Sequence, residues 1–459
     1  MVSTQGGKMK IGKIGWVLVG LMVLVGIVIA ASSVVHIDDT ITYDDSPVLD
    51  LANKEITVNK LTSPQVTWNF SAGDAPTSAA TVIVSKEGSY TVARWYNGTV
   101  LYKSNDGYDD DDIQVAINAV GALGGGKVKL GQGIFEVDNS ILINKSAITL
   151  EGEGTDATTL KLSNSANCDI IRVGNPSENV FFARVEKLTI DGNRVNQSAT
   201  NLAGIRFIKS CSDYVLKELY IKSVSGSGVV LEYGWYGRFT RLWLEGNLDA
   251  GLKTNGTSSS AVTELTVTDS TMSINDYGLY LEGKLNGGNF VNLIIKNNEK
   301  DGVFITQNYP NTDTPRSLYF LNCRILDNSH SSPNTYNAIT LDTFETGYLR
   351  LVFTSCEIYN SGDSSYAQKY LFEAKQWSAT KGIVFVNNHL ALNGVGTDYF
   401  NERGSTLSIY RNIGYHYTSQ FDFPTSAPSS PQTGDAYFDV ATNTLYVYNG
   451  TAWVSTTLS

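Results

Sequence analysis

Between about residues 188 and 386 one short pattern returns with changed residues and irregular spacing, and no other feature of the chain restricts its fold as tightly. It reads Leu-Thr-Ile-Asp at 188–191, Leu-Tyr-Ile-Lys at 219–222, Leu-Trp-Leu-Glu at 242–245, Leu-Thr-Val-Thr at 265–268 and Leu-Ile-Ile-Lys at 293–296. Weaker copies come later as Cys-Arg-Ile-Leu at 323–326, Cys-Glu-Ile-Tyr at 356–359 and Val-Phe-Val-Asn at 384–387. Several copies have a second half, a glycine followed by a β-prone triplet, at Gly204, Gly228, Gly278 and Gly302. The copies lie roughly 23 to 33 residues apart, within the range of solenoids, propellers and arrays. Their apolar residues alternate, which is the period of a strand with one buried face. A single strand of this length cannot bury that face, but parallel rungs stacked about 4.8 Å apart close a continuous core. A propeller would need four antiparallel strands per repeat joined by hairpin turns, and the pattern has none.

The expected architecture is therefore all-β: a right-handed parallel β-helix. Its inward column is expected to run Ile190, Ile221, Leu244, Val267, Ile295, Ile325, Ile358 and Val386, with Cys323 and Cys356 at equivalent positions of neighbouring coils beside it. That pairing makes Cys323 and Cys356 a disulfide candidate, the alternative being two buried thiols that act as small hydrophobes. Asp269, Asn297, Asp327, Asn360 and Asn388 come after the strand in successive copies, where side chains that tolerate turns and bond along a stack are suited to a bend.

Outside the repeats the chain divides into further segments. Lys8, Lys10 and Lys13 precede an uninterrupted apolar run over residues 14–31, which places the amino end inside and exports the rest of the chain. The run reads either as a signal peptide or as a transmembrane anchor, so residues 1–36 are set apart. Residues 37–108 form a polar, Thr- and Asp-rich stalk ending in a hairpin at Asn97-Gly98. The β-helix is expected over residues 109–420, and residues 421–459 make a Pro-spaced linker and a small β meander. Sequons at Asn69, Asn97, Asn144, Asn196, Asn255 and Asn449 fit an exported, glycosylated surface. A net charge of −11 without clustered Lys and Arg excludes nucleic acid as a partner.

The acidic residues 109–112 precede Ile113, Ala116, Ile117 and Val120, which share one helix face, so a capping helix over 112–123 should seal the amino end of the core. The acids suit the helix start and its dipole; structural calcium is the other role open to them. The run from Asp112 to Ala119, then Gly124-Gly125-Gly126-Lys127-Val128-Lys129-Leu130 and Gly133-Ile134-Phe135, resembles the opening of pectate-lyase-like β-helix proteins. Ile148-Thr149-Leu150-Glu151-Gly152 and Leu188-Thr189-Ile190-Asp191-Gly192-Asn193 resemble that superfamily's next coils, and the likeness extends over about residues 90–417. It is most similar to archaeal surface or viral members, while residues 434–453 resemble modules at the ends of tail-fibre proteins. The resemblance implies the fold and an extracellular or virion-surface location; it does not choose among lyase, hydrolase, tailspike and adhesin.

Outward residues of in-register coils form ladders. One is expected to run Lys187, Glu218, Arg241, Glu264 and another Asp191, Lys222, Glu245, with alternating signs that suit surface ion pairs worth about 0 to 1 kcal/mol each. Between them Tyr220 and Trp243 would stand side by side, a platform for sugar rings with Lys222 and Arg241 as donors. Asp191, Arg241 and Glu245 are also the weak catalytic candidates. The two carboxylates lie two coils apart, roughly 9 to 10 Å, the outer edge of the inverting-glycosidase range. Asn311-Thr312-Asp313 matches a polygalacturonase motif without its partner aspartates, and His330, His389 and His416 are scattered. Ile294, Leu326 and Phe385 are expected outward, an apolar end suited to loops or to another subunit of a homo-oligomer such as a trimer. The reading is a non-catalytic, anchored surface protein that binds polysaccharide and needs no cofactor. A polysaccharide lyase or glycoside hydrolase and a structural filament subunit are the alternatives.

Overall fold

The computed structural model describes residues 81–413 apart from 258, 307–315, 331, 343–348, 377–381, 392–397 and 403–405, together with 427, 433, 436–439, 441–457 and four two-residue strands within 42–56. Residues 1–74 and 75–459 form separate units. In the first, Thr42–Tyr43 pairs antiparallel with Ser46–Pro47 and Leu49–Asp50 with Glu55–Ile56. The apolar run over residues 14–31, Asn69, Asn311-Thr312-Asp313, His416 and most of the Pro-spaced linker lie outside the described residues. Among the described residues no helix is long and apolar enough to cross a membrane.

The second unit is built on a right-handed parallel β-helix in which each coil supplies strands to three faces. Face A is a 10-stranded parallel sheet from Ile141–Ile143 to Asp398–Glu402. Faces B and C belong to one 24-stranded sheet that bends between them. The bend is made by a column of left-handed residues, Lys187, Glu218, Arg241, Asp269, Asn292, Asn322, Ser355, Asn387 and Arg411, with φ from 52 to 59°. Asx side chains visit this conformation at little cost and bond along the column: Asn292 Nδ2 donates to Asp269 Oδ1 at 2.8 Å and Asn322 Nδ2 to Asn292 Oδ1 at 2.9 Å. Arg241 is followed in this column by Asp269, because Thr240 pairs with Thr268 and Trp243 with Thr271. The expected ladder partner Glu264 instead comes after Trp235 and Tyr236 in a neighbouring corner, since Trp235 pairs with Thr263.

The inward column of face C runs Ile190, Ile221, Leu244, Met272, Ile295, Ile325, Ile358 and Leu390. Two expected members belong elsewhere. Val267 is on face B, where it pairs with Phe239 and Phe290, because the coil holding it carries a second strand, Thr271–Ser273, whose polar ends hide it from a hydrophobic pattern. Val386 is half-buried and faces outward, whereas Phe385, expected outward, is buried inside face B. Phe385 ends a ladder in which Phe290, Phe320, Phe353 and Phe385 stack on successive coils at 4.7 Å with interplanar angles of 14–19°. Cys323 and Cys356 do occupy neighbouring coils, the Cys323 amide donating to Cys356 Sγ at 3.4 Å, but as free thiols and not as a disulfide.

A second polar ladder is fully buried at the corner leaving face C. Asn247, Asn275, Asn298 and Asn328 are each at most 1% exposed. Asn247 and Asn275 amides donate to the side-chain oxygen of the next asparagine at 3.0 and 3.1 Å, and that of Asn298 to Asn328 at 3.2 Å. The turns so formed keep these four coils in register with one another, because a slip by one residue would leave this chain of buried groups without partners.

At the amino end, Thr81–Glu87, Tyr90–Trp95 and Val100–Ser104 form an antiparallel meander, and Thr81–Glu87 joins Gly126–Leu130 in parallel. The expected Asn97-Gly98 hairpin is present, Trp95 N donating to Thr99 O at 2.9 Å. This meander is continuous with the first coil through the pairing of Thr81–Glu87 with Gly126–Leu130. Helix α1, Asp110–Ala122, packs Ile113, Ala116, Ile117 and Val120 on the core end. Its acids do not cap it with their side chains. Asp109 takes the Lys86 ammonium at 2.6 Å, the Thr91 hydroxyl and the Glu136 amide at 2.6 Å, and Asp110 takes the Asp138 amide at 3.2 Å, so both clamp the helix to distant strands. At the carboxyl end Ala436–Asp439, Thr444–Tyr448 and Trp453–Thr457 form the expected antiparallel meander. Asn97, Asn196, Asn255 and Asn449 are exposed and Asn144 half-buried.

Asp112 is fully buried, accepts from Ser104 Oγ at 2.5 Å through Oδ2, and leaves Oδ1 without a partner. Burial pushes its carboxyl from 3.8 up to about 6, and burial does the same to Asp110. A carboxyl raised in the fold stabilises fully below its unfolded value, and the contribution is lost as pH rises through the folded one. The thermal midpoint should therefore fall between about pH 4 and pH 6. Asp112→Asn should flatten that slope and raise the midpoint at neutral pH; melting curves across this window check it, and an unchanged slope would mean that Asp112 does not titrate with folding.

Candidate functional site

Face C presents five of the six residues marked by the sequence, Arg241 being the exception. Strands Arg184–Asp191, Val215–Lys222 and Arg238–Glu245 pair so that Thr189, Tyr220 and Trp243 form one outward column and Asp191, Lys222 and Glu245 the next. Alternation fixes this: Leu219, Ile221, Leu242 and Leu244 are buried, so the residues between them must face solvent. The Tyr220 and Trp243 rings lie 4.8 Å apart between centroids at 31°, and Trp243 remains 49% exposed. The Tyr220 hydroxyl donates to Glu245 Oε2 at 2.5 Å. Burial, with that bond second, raises the Tyr220 hydroxyl well above its usual value, so it stays a neutral donor. Lys222 Nζ lies 3.4 Å from Asp191 Oδ2 and 5.6 Å from the Tyr220 ring centroid. The geometry is thus an aromatic platform whose charged neighbours already have partners, Lys222 in Asp191 and Glu245 in the Tyr220 hydroxyl.

The arrangement suits contact better than acid–base chemistry. Asp191 is paired with Lys222 and Glu245 is engaged by Tyr220, so neither carboxylate stands as an unpartnered proton donor. Arg241 does not belong to the platform column. It sits at the bend, with φ 55°, and its guanidinium is paired with Glu218. Among the described residues no group of His, Cys, Asp and Glu could hold a metal ion. His330 is exposed, 3.0 Å from Glu299 through Nδ1 and stacked 4.6 Å above Tyr366.

Two features escape sequence reasoning. A groove of about 520 Å³ runs along the corner between faces C and A, lined by Arg194, Gln197, Ser225, Leu248, Ile274 and Glu299 among others. On face A, Tyr277, Tyr280 and Phe304 pack as three mutually touching rings, 5.0 to 5.3 Å between centroids. Lys253 lies over Tyr280 at 4.4 Å and Lys300 over Tyr277 at 5.1 Å. Burial pushes the Tyr280 hydroxyl up to about 12 and the neighbouring Asp301 carboxyl up to about 6. Asp301 is only 3% exposed and accepts from Thr340 Oγ1 at 2.6 Å and Asn337 N at 2.9 Å. Tyr277 and Tyr280 come from one strand and Phe304 from the next, an assembly that only the stacking register reveals.

Residues 103–349, more than half of the chain, match the family described as rhamnogalacturonase A/epimerase, pectate lyase-like. No curated protein matches the sequence. Among solved structures, the chain is similar to the A-module of the Azotobacter vinelandii mannuronan C-5 epimerase AlgE4, with 18% identity and a TM-score of 0.39 over 66% of this chain and 97% of that one. It is similar to the tailspike protein gp49 of Acinetobacter baumannii bacteriophage Fri1, a capsular polysaccharide depolymerase, with 12% identity and a TM-score of 0.48 over 73% and 65% of the two chains. It is also similar to PfbA, a surface adhesin of Streptococcus pneumoniae, with 12% identity and a TM-score of 0.30 over 77% and 98%.

Proposed function

The chain belongs to the pectate-lyase-like family of rhamnogalacturonase A and epimerases, and from that premise we propose that it is an exported surface protein that binds polysaccharide on face C without cleaving it. The observation that carries the reading is the Trp243 ring. It is half exposed, stacked on Tyr220 and held in register by two eight-residue strands. An aromatic face of this kind left open on a rigid sheet is suited to the apolar face of a sugar ring, while Lys222 and the Glu245 carboxylate offer polar partners for hydroxyls. The family name speaks of carbohydrate-processing enzymes and so supports a carbohydrate ligand; it also keeps a second reading, a lyase or hydrolase, in play. Against cleavage at this site stands the engagement of both carboxylates. Export through residues 14–31 and retention on a cell or virion surface belong to the same proposal.

A glycan array probed with wild type and Trp243→Ala tests it. The variant should lose about thirtyfold or more in affinity, as for a central aromatic contact, with an almost unchanged thermal midpoint because the ring covers no core. A panel of the same glycans should give neither reducing ends nor unsaturated products. Loss of folding in Trp243→Ala with binding intact would make the residue packing, and product formation would decide for the enzyme.

A further inference from the structure

We infer that the ligand is an extended chain running from the Tyr220–Trp243 platform around the corner into the groove between faces C and A, with Ile274 as its contact there. This rests on the polysaccharide-binding reading and adds a direction and a second subsite. The corner after face C is turned by Ser223, Gly246, Ile274, Asn297 and Asp327, all left-handed, with φ from 52 to 64°. Ser, Gly, Asn and Asp are ordinary choices there. A β-branched residue is not, because its side chain crowds the backbone in this conformation. Packing does not account for Ile274: it is 47% exposed. A strained residue with no role in the core, lining the wall of a groove, is explained by what its side chain touches outside the fold.

The rest of the groove agrees. Leu248 and Val195 expose further apolar surface, 39% and 88%. Arg194 sends Nη1 to the Gly246 carbonyl at 3.0 Å, which fixes the groove wall to the residue after Glu245. Asp276 is paired with Lys300 at 2.8 Å and Glu299 with His330 at 3.0 Å, whereas Arg194 has no ion pair among the described residues. The groove therefore offers open donors beside apolar walls, which suits a sugar chain bearing hydroxyl or carboxylate groups. Trp243 and Leu248 are five residues apart on one coil, a span of at most roughly 17 Å. A chain of a few sugar units is long enough to touch both.

Full-length wild type, Ile274→Asn, Ile274→Gly and Trp243→Ala are titrated with size-graded oligosaccharides of polygalacturonate, alginate and dextran. Wild-type affinity should rise with chain length. Both Ile274 variants should lose about tenfold for the longest chains, keep wild-type affinity for disaccharides, and melt at a higher temperature once the strain is removed. Ile274 variants that bind long chains like wild type, or that melt lower, overturn the inference; Trp243→Ala losing every length alongside them would leave the platform reading standing alone. Wild type that binds none of these oligosaccharides overturns both.

Discussion

Phe320→Ala should destabilise the β-helix by about 3–5 kcal/mol, the range for deleting a buried aromatic ring. Phe320 is 0% exposed and stacked on both sides, by Phe290 and by Phe353, each at 4.7 Å. Removing it opens a void between two coils and breaks two ring contacts, each worth about 0.5–1.5 kcal/mol beyond the area it buries. Neighbouring rings cannot collapse into the space, because the strands that carry them are hydrogen-bonded in fixed register. In a solenoid, stability is a sum over neighbouring units, so the damage should be local. Hydrogen exchange should rise over residues 285–386 first, with little change around helix α1. Phe320→Leu, which refills most of the volume, should cost much less. Uniform exchange along the whole chain, or a melting curve like wild type, would show that the ladder is not what holds these coils together.

The same ladder marks where sequence reading stops. On face C the column from Ile190 to Ile358, Met272 excepted, could be read because polar residues separate its members, as in Leu-Tyr-Ile-Lys and Cys-Glu-Ile-Tyr. Face B offers no such parity. Leu318-Tyr319-Phe320-Leu321 and Ile383-Val384-Phe385-Val386 are apolar or aromatic at every position, so either phase looks buried, and the wrong one put Phe385 outside. The platform was legible for the opposite reason: Tyr220 and Trp243 occupy the same place in two close copies of one motif, and stacking copies in register puts them together. Nothing local announces the groove. Ile274 comes after Thr-Met-Ser, a strand with one apolar residue, and its left-handed turn is imposed by the coils on either side. The acids at 109–112 misled in a similar way. Their partners, the Glu136 and Asp138 amides, are a whole coil away in sequence, and a local rule can only assign them to the adjacent helix.

Asn298→Leu should be among the most damaging changes of nearly equal volume in the chain, although it makes the core more apolar. Asn298 Oδ1 accepts from the Asn275 amide at 3.1 Å and from Asn275 Nδ2 at 3.2 Å, and its Nδ2 donates to Asn328 Oδ1 at 2.8 Å and to the Met272 carbonyl at 3.3 Å. Leucine keeps the size and removes all four bonds. The Asn275 amide and the Met272 carbonyl then lose these partners in a region closed to water, at about 1–3 kcal/mol each. Asn298→Asp separates the two halves of the argument. The acid keeps the acceptor oxygen but, when ionised, sets a charge against Asn328 Oδ1; protonated, it can donate as asparagine does. Its carboxyl must therefore be raised in the fold, so the stability of Asn298→Asp should fall more steeply than that of wild type as pH rises above about 4. Melting curves of the three proteins at acid and neutral pH decide this. If Asn298→Leu melts with wild type, the buried asparagines are passengers of the turn, and the register of the coils is set by the apolar columns alone.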